Sequence, residues 1–129
     1  MRVQIFSDLH ADRRAPRPID ICEGVDVVVV PGDVAEGARN SFVALRRIVP
    51  DTIPNVFTMG NHEFYRRFIV EELDEARRAA PTYNVAVLEN GSVVIGAVDG
   101  SSALLFSRPP SRAPLTQPRE GVGRSGASA

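Results

Sequence analysis

The chain has no lysine; all 15 of its basic residues are arginine. It has one cysteine, Cys22, and two histidines, His10 and His62. Each shortage excludes something. A lone cysteine rules out an internal disulfide and suits a small, buried or half-buried apolar residue. The longest largely apolar stretch, Val25 to Pro31, falls far short of the roughly 20 residues that a membrane-spanning helix needs. Met1 leads straight into a strand-like run, without the basic, apolar and small-residue order of a signal peptide, so a cytoplasmic location is expected. Arginine without lysine reads as coding bias in a GC-rich gene. A net charge of -1 leaves no electrostatic footprint for nucleic acid and no attraction to an anionic membrane, so neither partner is expected.

What is present is the composition of an ordinary soluble globular protein, 43% hydrophobic and 24% charged, in 129 residues, enough for one domain. Val3 to Ser7 reads as a first strand. A loop with Pro16 and Pro18 follows. Val25 to Val30 is almost wholly β-branched, as suits a strand covered on both faces. Ala38 to Val49 has helical spacing, with Phe42, Leu45, Ile48 and Val49 on one face and Arg39, Arg46 and Arg47 outward. Asn55 to Met59 is a third strand. Glu63 to Ala80 reads as a second helix whose apolar stripe is Phe64, Phe68, Ile69, Leu73 and Ala76. Val85 to Glu89, Asn90-Gly91 and Ser92 to Val98 read as a β-hairpin. The order predicts an α/β fold, a mainly parallel sheet with crossover helices.

Three short motifs each follow a predicted strand: Asp8-Leu9-His10, Gly32-Asp33 and Gly60-Asn61-His62-Glu63. Strand ends are where a parallel sheet builds its sites. Asp8 and His10 offer a carboxylate and an imidazole, a donor pair suited to Zn, Fe or Mn; the plainer reading is turn chemistry. Asp33 at the end of a buried strand is placed to bridge two cations, and Gly32 permits an unusual backbone angle. Asn61 and Glu63 would also serve as a helix N-cap and a carboxylate at the positive helix end. His62 at that end would point toward bound phosphate.

Taken singly, each motif is weak or moderate. In this order, about 25 residues apart, they resemble the calcineurin-like metallophosphoesterase superfamily, over residues 1 to about 98. The resemblance implies the N-terminal half of an αββα sandwich and metal-dependent hydrolysis of a phosphate ester. It implies that Asp8 and His10 bind a first metal, that Asp33 bridges two, and that Asn61 binds the second. It makes His62 the general acid or transition-state stabiliser, and places Glu36, three residues past Asp33, where it would orient His62. The cofactors implied are two divalent ions, Mn, Fe or Zn. Lying about 3.5–4 Å apart, they would clamp the phosphate and activate the attacking water. The substrate implied is a small phosphate ester.

The sequence departs from that family after the third motif. The family continues with a lone histidine and a G-H-x-H motif, and no histidine follows His62. The second metal would keep only Asp33 and Asn61, and the second sheet of the sandwich would be missing. Of the 29 residues from Ser101 to Ala129, 21 are Ser, Pro, Arg, Gly or Ala. A disordered tail over residues 99–129 is therefore expected, with one short strand near residues 103 to 106. A change of reading frame between Gly96 and Asp99 would account for the shift. The alternative function is that of a non-catalytic fragment binding one cation or phosphate weakly. A bare sheet face would favour self-association.

Two further matches carry nothing. Gly121 to Gly126 fits a dinucleotide fingerprint but has no strand before it and three residues after it. Asn90-Gly91-Ser92 fits a glycosylation acceptor, which the turn explains.

Overall fold

The computed structural model describes residues 1–13, 18–96 and 102–106, the last as backbone. Four strands form one parallel sheet: β1 (Val3–Ile5), β2 (Val27–Pro31), β3 (Asn55–Thr58) and β4 (Val85–Val87), in that spatial order. Helix α1 (Ala38–Arg46) joins β2 to β3, and α2 (Ile69–Ala79) joins β3 to β4. The fold class is α/β, as the residue pattern predicts.

Because the strands run in chain order, right-handed crossovers put both helices on one face. Alternation along the strands sorts the side chains accordingly. Val28, Val30 and Phe57 join Phe42, Leu45 and Ala76 in the helix-side core. Val27 and Val56 point the other way and meet Leu88. β2 is therefore buried on both faces, which is why it reads as an unbroken valine run.

The second face has a partial cover. β5 (Ser92–Gly96) and β6 (Ser102–Phe106) pair antiparallel, with Val93 against Leu105 and Ile95 against Ala103 in register. Val93 and Ile95 pack onto the second cluster. β5, paired with β6, thus packs against the face expected to be bare. Ile5, on that face at the β1 edge, remains 66% exposed. The strand expected near residues 103 to 106 is β6; residues 97–101, where the domain boundary was expected, and 107–129, most of the expected tail, lie outside the described residues.

Three readings need correction. Asn90-Gly91 does not turn a hairpin: β4 pairs parallel with β3, and β5 pairs with β6. A two-residue type I′ turn needs positive φ at both central positions; Asn90 has it (53°) and Gly91 does not. The second helix does not start at Glu63. His62–Phe64 is a single 3-10 turn, Arg66 sits at φ 60°, and α2 begins only after an extended Phe68. Phe68 and Ile69 are accordingly 76% and 64% exposed rather than in the stripe. Arg46 does not face outward; its guanidinium donates to the carbonyls of Tyr83, Val49, Pro50, Ile53 and Asn84. Burial pulls that guanidinium below its usual range, with Asp51 pulling the other way. Among the described residues no helix is long and apolar enough to cross a membrane.

Candidate metal and phosphate centre

The loops that leave β1, β2 and β3 meet at the carboxyl edge of the sheet, stitched by their own backbones. Asp8 N–H donates to Gly32 O (3.2 Å), His10 N–H to Asp33 O (3.2 Å) and Ala11 N–H to Val34 O (2.7 Å). Those bonds bring the first motif against the second. Asp8, His10 and Asp33 all have left-handed backbone, at φ 58°, 45° and 57°. Such conformations cost energy in residues with a side chain and gather at functional sites.

Glu63 joins the second motif to the third. It is fully buried. Its Oε2 accepts from Asp33 N–H (3.0 Å) and Gly60 N–H (2.8 Å), and its Oε1 from Val34 N–H (2.7 Å) and Ser41 Oγ (3.0 Å). Glu63 is thus the knot under the site, rather than a surface charge at a helix end. The two glycines allow the approach. A Cβ on Gly32 would lie 2.5 Å from Gly60 N, and one on Gly60 would run into the Asp33 carboxylate. That carboxylate in turn accepts from His62 N–H through Oδ1 (2.9 Å).

The imidazoles are neighbours. The rings of His10 and His62 stand edge to face, with centroids 4.8 Å apart. His10 Nε2 is 3.9 Å from Asp8 Oδ1, and Asp8 Oδ2 accepts from Ser7 Oγ (2.6 Å). Asn61 is exposed and makes no side-chain cap bond; its main-chain carbonyl closes the 3-10 turn instead, accepting from Phe64 N–H (3.2 Å). The N-cap reading of its amide therefore does not apply.

His62 is almost wholly buried, its Nε2 lying 3.0 and 3.2 Å from the two oxygens of Asp12. Sequence reasoning assigned the orienting role to Glu36. The structure puts Glu36 in the same cluster, since Asp12, Glu36 and His62 each bring a donor atom within 4.8 Å of the others. Its carboxylate faces Arg13 at 3.9 Å, and the carboxylate bonded to His62 is that of Asp12. Burial pushes the Asp12 carboxyl up. The His62 hydrogen bond, main-chain groups of Asp12 and Glu36, and the His62 charge outweigh it and hold the carboxyl below its usual range. Asp12 was legible only as the second residue past His10, a spacing that by itself signals nothing.

The calcineurin-like phosphoesterase family model matches residues 1–111 of the chain. The chain belongs to that family. The match runs past residue 98, where the motif resemblance stops, and takes in β6. No curated protein and no solved structure matches the chain. Calcineurin-like phosphoesterases use divalent metals, and the Asp12, Glu36 and His62 cluster is a group of donors that could hold one.

Proposed function

We propose that this chain is a metal-dependent hydrolase of small phosphate esters. The observation that carries this reading is the meeting of three strand-end loops, which puts Asp8, His10, Asp33 and His62 at one place with strained backbone at three of the four. Asp8, His10 and Asp33 would hold one cation. Asp33 and Asn61 would be the motif residues left to a second, because the chain has no histidine beyond His62. A bound cation supplies Lewis-acid polarisation of the phosphate and a lowered pKa for the attacking water. His62 gives a proton to the departing ester oxygen. The short supply of donors favours a second reading, a fragment that binds one cation or phosphate and turns nothing over.

One assay separates the two: manganese-dependent hydrolysis of a chromogenic phosphomonoester and phosphodiester by the full chain, with Asp33→Asn as control. Hydrolysis lost in Asp33→Asn supports the enzyme. Folded wild-type protein no faster than Asp33→Asn sinks the enzymatic reading and leaves the binding one.

A further inference from the structure

His62 has two ring nitrogens, and the structure accounts for one of them. Nε2 lies 3.0 and 3.2 Å from the two Asp12 oxygens. An ionised carboxylate offers only acceptor oxygens, so Nε2 carries the hydrogen of that bond. The ring also packs edge to face against two others, His10 at 4.8 Å and Tyr65 at 4.9 Å between centroids. It is 4% exposed, so it cannot rotate to exchange its nitrogens without displacing those neighbours.

We propose that Asp12 is the positioning residue of the site, holding His62 by Nε2–H so that Nδ1 is the nitrogen offered to the substrate. The proposal rests on the phosphoesterase reading for what His62 then does, but not for the pairing itself. In the reaction, the oxygen of a hydroxide ion forms a bond to phosphorus and the bond from phosphorus to the ester oxygen breaks. The electron pair stays with that oxygen, which takes the proton from Nδ1. A water then returns a proton to Nδ1 and leaves hydroxide behind. Asp12 exchanges no proton; it fixes the direction of the donor. The Glu36 carboxylate, three residues past Asp33, makes no hydrogen bond to His62; only its main chain supports Asp12.

The pairing is read first without activity. The full chain has only two imidazoles, and a His10→Gln variant assigns them. At about pH 8.5, where an ordinary imidazole is neutral, the His62 Nε2–H should give a low-field proton resonance protected from solvent exchange. Asp12→Ala should abolish it and Glu36→Gln should keep it. Persistence in Asp12→Ala, or loss in Glu36→Gln with Asp12 intact, overturns the proposal. The second readout is kinetic, in the manganese-loaded chain. Asp12→Asn should lower kcat for an alkyl phosphate, whose leaving group needs a proton, by about tenfold or more. It should lower kcat for a nitrophenyl phosphate far less, and leave KM nearly unchanged. Equal losses on both esters, or a loss confined to KM, would mark Asp12 as merely structural and overturn the proposal. If the wild-type chain hydrolyses neither ester, the phosphoesterase reading fails and the resonance alone decides whether Asp12 positions His62.

Discussion

Glu63 has no exposed surface and four donors converging on its two oxygens. Three of those donors are backbone N–H groups from the loops after β2 and β3, and the fourth is the Ser41 hydroxyl of α1. A buried N–H that loses its acceptor costs about 1–3 kcal/mol. Glu63→Gln keeps the volume but turns one acceptor into an NH2 facing other donors. It is expected to lower the free energy of unfolding by about 1–3 kcal/mol, and Glu63→Ala should cost more, as measured by urea denaturation. A loss of only a few tenths of that for both variants would mean that the loops hold together without the knot. Because Asp33 N–H and Gly60 N–H share one oxygen of Glu63, the same substitution should also separate the second motif from the third.

Between elements, the first turn of α1 borrows its cap. Gly37 precedes the helix and has no side chain to cap it. The Ala38 N–H instead donates to Oε1 of Glu72 (2.7 Å), a carboxylate of α2 that is nearly buried and also pairs with Arg67 (3.3 Å). A lost N-cap typically costs about 1 kcal/mol. Glu72→Ala is therefore expected to speed amide exchange in the first turn of α1 while leaving the centre of β2 protected. Unchanged exchange at Ala38 to Ser41 would show that the contact is not a cap. The same pair of helices shows what the sequence could and could not announce. The α1 stripe was legible because Phe42, Leu45 and Val49 bury by period alone. The start of α2 was not, because Glu63 is claimed by the backbone of a loop 30 residues earlier, and no helical period encodes that. Asn90-Gly91 misled for a related reason: it is a local signal, and β4 is placed by a parallel neighbour, Asn55 against Val85, rather than by a turn. At the site, Asp8, His10, Asp33 and His62 were legible as motifs in order. Asp12 was not, because its partner lies 50 residues away.

Taken as a whole, the chain can assemble its donors only by folding. Asp8, His10 and Asp33 come from two loops that touch only once β1 and β2 are in register, Val3 against Val27 through Ile5 against Val29. The unfolded chain keeps Asp33 far from Asp8 and His10, so a cation held by all three binds the folded state almost exclusively. Such a ligand stabilises by mass action: at a hundredfold excess over its dissociation constant, by about 2.7 kcal/mol. For a chain of this size each kcal/mol raises Tm by roughly 3–5 °C, so manganese in that excess should raise it by about ten degrees. Asp33→Asn should lose most of the rise, because Asp33 belongs to both donor sets of the proposed function. Asp74→Asn, on the exposed side of α2, should keep it. An equal rise in both variants would mean that manganese binds away from Asp33, at the Asp12, Glu36 and His62 cluster or at scattered surface carboxylates. No rise in the wild type would mean that the donors left in this chain do not hold a cation at all. The second outcome would also explain silence in the hydrolysis assay, since the family's chemistry cannot begin without the cation. A rise lost only in Asp33→Asn, without turnover, would instead isolate the missing later donors as the defect.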